Sequence, residues 1–238
     1  MVQPVTPPTI FGMPNDDLLY GSLFHDVIFG KEGNDTIYAY AGNDIVFGNS
    51  GDDYISGWSG NDKLFGAEGN DTVSGGDGND LVSGAEGDDN LFGGSGNDAL
   101  YGGTGDDLLS GGAGDDGLAG NEGDDTLSGG DGDDFIAGGL GKDILLGGAG
   151  ADQFYWYDAD ESGVGAGNRD IVMDFKVGLD SIHLAAFNIT AAELTLTSIN
   201  RGAGTILGVD FDHDGHNEFE VQLNNVAFGS LHAADIVL

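Results

Sequence analysis

An aspartate recurs every nine residues, sixteen times and without a gap: Asp17, Asp26, Asp35, Asp44, Asp53, Asp62, Asp71, Asp80, Asp89, Asp98, Asp107, Asp116, Asp125, Asp134, Asp143 and Asp152. Two residues after each stands a large apolar residue, from Leu19 and Ile28 to Leu145 and Phe154. Two residues before each, from Gly33 to Gly150, stands a glycine. The fullest turns read Gly-Gly-x-Gly-x-Asp, as in Gly75 to Asp80, Gly93 to Asp98, Gly102 to Asp107, Gly111 to Asp116, Gly129 to Asp134, Gly138 to Asp143 and Gly147 to Asp152. Carboxylates supply charge and hard oxygen, and glycines let the backbone take positive φ and aim carbonyl oxygens inward. Ca²⁺ takes about six to eight such oxygens at roughly 2.3–2.6 Å. The chemistry indicated is repeated binding of a hard divalent cation. Candidate ligands are Asp35, Asp44, Asp53, Asp62, Asp71, Asp80, Asp89, Asp98, Asp107, Asp116, Asp125, Asp134, Asp143 and Asp152. Backbone oxygens would come from Gly76, Gly78, Gly94, Gly96, Gly103, Gly105, Gly112, Gly114, Gly130, Gly132, Gly139, Gly141, Gly148 and Gly150. A handful of Asp-Gly pairs would only end strands in Asx turns; sixteen in one phase form a lattice.

A fixed short period with apolar residues, carboxylates and glycines in constant phase predicts a solenoid. Each unit reads as a turn, such as Glu122 to Asp125, and a short strand, such as Thr126-Leu127-Ser128, with only Leu127 inward. One unit buries nothing alone. Two make an 18-residue coil with a strand on each side, so the sixteen units form about eight two-strand coils and an all-β fold of two facing parallel sheets. At about 4.8 Å per coil the body is roughly 38 Å long. Its core is thin, with Ile37, Ile55, Val73, Leu91, Leu109, Leu127 and Leu145 along one side. Residues 18 apart stack, so Asp71, Asp89 and Asp107 share one edge and Asp80, Asp98 and Asp116 the other. Stacked carboxylates repel, and a divalent ion between each vertical pair reverses that sign. Seven gaps per edge set a ceiling of about 14 Ca²⁺ ions, which would take the formal charge from −36 to −8.

The chain has 238 residues, with 42 acidic against 6 basic. That balance excludes nucleic acid as a partner and disfavours anionic membranes. Self-repulsion and the entropy of 46 glycines leave the metal-free chain largely disordered. No cysteine is present, so neither disulfides nor thiol chemistry operates. Met1 to Gly12 lacks the basic and apolar regions of a cleaved signal peptide, and no apolar stretch approaches a membrane span. Three regions are visible: an extended leader (1–13), the repeat array (14–157) and a glycine-poorer segment (158–238).

The nonapeptides resemble the repeats-in-toxin (RTX) family, the haemolysin-type calcium-binding repeats, most strongly over residues 33–152. The resemblance implies a right-handed parallel β-roll, Ca²⁺-triggered folding, and export by bacterial type I secretion machinery with an uncleaved C-terminal signal, hence an extracellular location. The first units depart from the pattern: Asn15 and Phe24 replace the turn glycine, and His25 precedes Asp26. Tyr40, Asn49, Trp58 and Ala67 replace the glycine four before the aspartate, which weakens the sites of Asp44, Asp53, Asp62 and Asp71. The stretch from Arg169 to Leu184, with Asn217 to Leu223 and Ala233 to Leu238, resembles the capping segment of serralysin-type proteases and of alginate epimerase repeat modules. An open solenoid end needs such a cap against edge pairing. Asp210 to Gly215 opens like an EF-hand loop, yet Leu223 and Asn224 stand where its closing Glu belongs. It is either one further Ca²⁺ site or an acidic hairpin turn. His213 and His216 could suggest a transition-metal site, but a solvated loop is the better reading of them.

No His-Glu-x-x-His zinc motif and no Gly-x-Ser-x-Gly elbow occurs, and no carboxylate pair stands apart from the lattice. The chain therefore reads as a secreted, non-enzymatic calcium-binding protein with a surface, matrix or adhesion role. The alternative is an auxiliary module of a secreted polysaccharide-modifying enzyme, of alginate epimerase or lyase type. Ice binding wants regular outward threonines, which Glu68, Asp77, Glu86, Ser95, Thr104 and Ala113 do not supply. One sheet presents Val27, Phe29, Ile45, Phe47, Phe65, Leu81 and Tyr101 outward. The Phe29/Phe47/Phe65 ladder there offers a face for self-association or for a partner such as an extracellular polysaccharide. The other sheet is mostly polar.

Overall fold

In a computed structural model, residues 8–163, 167, 169–184, 194–199, 204–210, 216, 217, 219–227, 229–232 and 234–238 are described. They form a parallel β-roll of about eight turns. Strands alternate between two sheets. One has eleven strands, beginning Thr9–Phe11, Val27–Glu32, Ile45–Ser50 and Lys63–Glu68; the other has twelve, beginning Leu18–Tyr20, Thr36–Tyr38, Tyr54–Ser59 and Thr72–Asp77. Neighbours pair in parallel at a constant offset of one coil, as in Val27 with Ile45, Leu64 with Val82 and Leu100 with Leu118. From Asp26 onward the apolar residue two after each aspartate lies inside: Ile28, Ile55, Leu64, Leu91, Leu100, Leu109 and Leu127 are 0% exposed.

The strands are longer than the three residues that alternation predicts. Thr126–Asp131 is typical, because pairing continues past the inward leucine through the glycines, as Gly112 pairs with Gly130. The chain turns around the glycine two before the aspartate.

Beyond the array both sheets continue. Gln153–Tyr155 is followed in its sheet by Ser181–His183 and Ile236–Val237. Ile144–Ala149 is followed by Asp170–Val172 and Phe219–Asn224, then by the antiparallel strands Gly204–Val209 and Leu194–Ile199. Trp156, Phe175 and Phe219 close this end of the core. At the opposite end Phe11, Met13, Leu18, Tyr20, Leu23 and Phe24 are all exposed among the described residues.

The expected phenylalanine ladder is present. Ring centroids lie 5.0 Å apart between Phe29 and Phe47 and between Phe47 and Phe65, and Phe11 joins at 5.2 Å from Phe29. Mutual stacking leaves Phe29, Phe47 and Phe65 half-buried. The other sheet, mostly polar by sequence, carries an aromatic group of its own: Tyr20, Tyr38 and Tyr40 stack on one another, and Trp58 meets Tyr40 edge-on. Among the described residues no helix is long and apolar enough to cross a membrane.

Candidate metal centre

Positions in a turn are counted back from its aspartate. In all fourteen units from Asp35 to Asp152, positions −4 and −2 take positive φ. At −2 the residue is always glycine. At −4 it is glycine in half the units and Lys31, Tyr40, Asn49, Trp58, Ala67, Ala85 or Asn121 in the rest, with φ between 74° (Tyr40) and 99° (Ala67). These L-residues pay a backbone strain to keep the glycine conformation. The turns of Asp44, Asp53, Asp62 and Asp71, which lack the −4 glycine, therefore have the same shape as the consensus turns.

The fourteen carboxylates are buried, none more than 4% exposed. Each Oδ1 accepts a hydrogen bond from the backbone N–H of the aspartate one coil earlier, at 2.7 Å from Asp35 to Asp53 and 2.8 Å from Asp80 to Asp98. Each Oδ2 is buried with no hydrogen-bond donor. A buried carboxylate oxygen without a partner is costly unless something cationic meets it.

The surroundings of Oδ2 supply more oxygen. A Cβ placed on Gly93, at −5, would lie 2.4 Å from Asp98 Oδ2 and 2.6 Å from the carbonyl oxygen of Gly111 in the next coil. On Gly48 it would lie 2.1 Å from Asp53 Oδ2 and 2.9 Å from Gly66 O. Carbonyls at −4 and −2 also face the coil above, since a Cβ on Gly94 or Gly96 would lie 2.1 Å from Gly76 O or Gly78 O. Among the described residues no three His, Asp or Glu side chains gather at one point. Each gap is instead lined by main-chain carbonyls with one repeat carboxylate per turn. Glycine stands at −5 in thirteen of the fourteen units and leaves this space open, Ala39 before Asp44 being the exception, and an all-oxygen set of this kind suits Ca²⁺.

Comparison with known proteins agrees with this geometry. The RTX calcium-binding nonapeptide repeat (4 copies) matches residues 9–28, 20–55, 29–64, 39–73, 56–91, 83–118, 92–127 and 119–154. The chain belongs to this RTX family. RTX repeats bind calcium. No curated protein matches the chain. Among solved structures it is similar to the AlgE6R3 subunit of the Azotobacter vinelandii mannuronan C5-epimerase, at 31% identity over 55% of this chain and 78% of that one, with a TM-score of 0.45. The AlgE6R2 subunit of the same enzyme shares 30% identity over 56% and 88%, with a TM-score of 0.47. The extracellular lipase LipA from Serratia marcescens shares 15% over 98% of this chain and 40% of its own, with a TM-score of 0.40.

Electrostatics in the RTX columns are dominated by burial. Loss of hydration pushes Asp53, Asp107 and Asp116 up to about 6. It pushes Asp62, Asp71, Asp89, Asp98, Asp125 and Asp134 up to about 7. Asp143 reaches about 9, through burial first and the charge of Asp170 second. Vertical repulsion, the main cost suggested by spacing alone, is the smaller effect, and the N–H bond to Oδ1 partly offsets the burial.

The ends of the RTX columns are sealed differently. Asp17 and Asp26 take the N–H of their own −4 residues, Met13 at 2.5 Å and Ser22 at 2.6 Å, onto Oδ2. At the other end the columns gain two rungs that the nine-residue period hides. Asp170 Oδ1 accepts from Asp143 N–H at 2.8 Å, and Asp180 Oδ1 from Asp152 N–H at 3.2 Å. Their Oδ2 atoms are taken by Trp156 Nε1–H at 2.6 Å and Lys176 N–H at 2.7 Å. Spacing concealed them because the offset jumps to 27 and 28 residues; the phrases Asp170-Ile171-Val172 and Asp180-Ser181-Ile182 repeat the Asp-x-apolar pattern and were the available signal.

A second ladder was also missed. The −1 side chain accepts from the backbone N–H of the −1 residue one coil later, as Asn61 Oδ1 does from Asn79 at 3.1 Å and Asp88 Oδ1 from Asp106 at 2.9 Å. This position is Asn or Asp in thirteen of sixteen units. Of the exceptions, His25 substitutes Nδ1 as acceptor for Asn43 N–H at 2.6 Å, while Lys142 and Ala151 end their ladders and only donate. The EF-hand-like stretch cannot be placed in this scheme, since residues 211–215 lie outside the described residues.

Proposed function

We propose that this RTX protein folds on Ca²⁺ outside the cell, and that the ions are held by the fourteen aspartates from Asp35 to Asp152 with the turn carbonyls of the adjacent coils. The observation that carries this reading is the double column of buried Oδ2 atoms without donors, set against end aspartates whose Oδ2 atoms do have them. Ca²⁺ in each gap supplies positive charge and takes the place of lost hydration; the chain supplies preset oxygens and, through glycine at −5 in every unit but that of Asp44, the space. Residues 14–157 then act as the calcium roll, with 158–238 as a cap that carries a type I secretion signal. Millimolar extracellular Ca²⁺ suits weak sites of this kind, while the low cytosolic level leaves the chain unfolded and exportable. The role is non-catalytic, in a surface, matrix or adhesion context, with partners met on the outward sheet faces. Far-UV circular dichroism tests the core of this reading: disorder in chelator and cooperative gain of β-structure with added Ca²⁺. Full β-structure in excess chelator would sink it.

A further inference from the structure

Two of the chain's six basic side chains reach turn carbonyls of the columns through their ammonium groups, Lys176 from a half-buried position and Lys31 from an exposed one. Lys176 stands in the turn above that of Asp152. Its Nζ descends across the gap, donates to the carbonyl oxygen of Gly148, and lies 3.6 Å from the fully buried Oδ2 of Asp152. Gly148 O is the −4 carbonyl, the same atom that faces the coil above in the turns below. Asp174 holds this turn in place, its two oxygens accepting from Gly147 and Gly148 N–H at 2.9 Å each. At the other end and on the opposite edge, Lys31 extends from a −4 position and donates through Nζ to Gly12 O, across the gap between the turns of Asp17 and Asp35. A Cβ on Gly12 would lie 2.8 Å from Asp17 Oδ2 and 2.3 Å from Gly30 O, so that gap brings a carboxylate and a carbonyl oxygen together as the array gaps do, with Met13 N–H already donating to this Oδ2. The remaining described basic groups do something else: Arg169 pairs with Glu220, Lys63 is exposed, and half-buried Lys142 joins the −1 ladder through its backbone N–H.

We infer that Lys31 and Lys176 are built-in cations, each filling a terminal gap that would otherwise take a Ca²⁺ ion. This rests on the calcium reading of the array and refines it. The repeat pattern sets the gaps, and two lysines withdraw one from each column. An ammonium has three donors and one charge, enough for two or three oxygens in a gap open on one side, and it needs no external ion. The end turns thereby close at Ca²⁺ concentrations that leave the middle of the array open.

Equilibrium dialysis followed by metal analysis tests this on the full chain at saturating Ca²⁺, with circular dichroism confirming the folded state. Lys176→Met and Lys31→Met each keep the apolar stem and remove the charge. Each is expected to bind one more Ca²⁺ than the wild type, and the double variant two more, while Lys176→Arg keeps the wild-type count. Unchanged counts in the methionine variants would overturn the inference. So would a methionine variant that stays unfolded at saturating Ca²⁺, since its emptied gap then does not accept the ion. A wild type that binds no Ca²⁺ would remove the calcium reading itself, a result distinct from an absent increment.

Discussion

Glycines at −5 and −4 look alike in the sequence but answer to different constraints. At −5 the requirement is space, because a Cβ on Gly93 would meet Asp98 Oδ2 at 2.4 Å and Gly111 O at 2.6 Å. At −4 the requirement is conformation, and Ala85 meets it under strain at φ 96°. The two substitutions Gly93→Ala and Ala85→Gly should therefore move stability in opposite directions. The first intrudes on the oxygen cradle and should raise the Ca²⁺ midpoint for folding several-fold. The second relieves a left-handed alanine and should stabilise the fold by about 1 kcal/mol, lowering the midpoint. Calcium titrations followed by circular dichroism read both, and equal midpoints for the two variants would contradict the distinction. The sequence showed which residues were glycine but not which demand each met. It also displayed the Asn/Asp run at −1 openly. Its role stayed hidden because a residue beside a strong period is read as part of the same acidic turn, and only the coil-to-coil direction of its bonds separates the two ladders.

Each edge column behaves as one titrating element. Burial raises its carboxylates from an ordinary 3.8 to about 6 or 7 in the folded, ion-free state. A raised folded value means that the neutral form favours folding. Below about pH 4 the aspartates are protonated whether folded or not, and their ionisation costs the fold nothing. As pH rises through 6 and 7 the folded state must either ionise buried oxygens or unfold, so stability is lost. Ion-depleted protein should consequently gain β-structure as pH falls from 8 to 5, while in Ca²⁺ the dependence reverses and the midpoint rises on acidification because protons compete for Oδ2. Circular dichroism of dialysed protein across that range checks the first half. Depleted protein no more ordered at pH 5 than at pH 8 would show that buried carboxylates are not what keeps the ion-free chain open. The nine-residue period made this element legible: it fixed the two columns and their stacking. It overstated repulsion because burial depth and the intervening N–H bonds are not visible in spacing.

At the scale of the whole molecule the two ends are unequal. The roll, its coil count and its two sheets followed from the period, since a strict repeat leaves the chain almost no other way to bury one apolar residue in nine. The cap resisted the same reading because its strands join the sheets at irregular offsets, and because Asp170 and Asp180 sit where no period points. Those residues matter for the order of assembly. Both ends have protein donors on their last carboxylates, but the C-terminal end has Trp156, Phe175 and Phe219 over the core, whereas among the described residues the N-terminal end leaves Phe11, Leu18 and Phe24 exposed. Solenoid stability is a sum of units and nearest-neighbour interfaces, so ordering spreads outward from wherever the first coils are cheapest to form. Here that is the capped end, where apolar side chains already cover the core. The two tryptophans report on it separately: Trp156 is 1% exposed at the cap junction and Trp58 is 59% exposed near the N-terminal end. A Trp58→Phe variant leaves Trp156 as the sole indole and keeps its bond to Asp170. On Ca²⁺ titration its emission should shift to the blue at a lower concentration than the half-point of the far-UV signal, because the cap junction orders before the array is filled. Coincident midpoints would mean that cap and array fold as a single unit, and a fluorescence change lagging the far-UV signal would place the nucleus elsewhere.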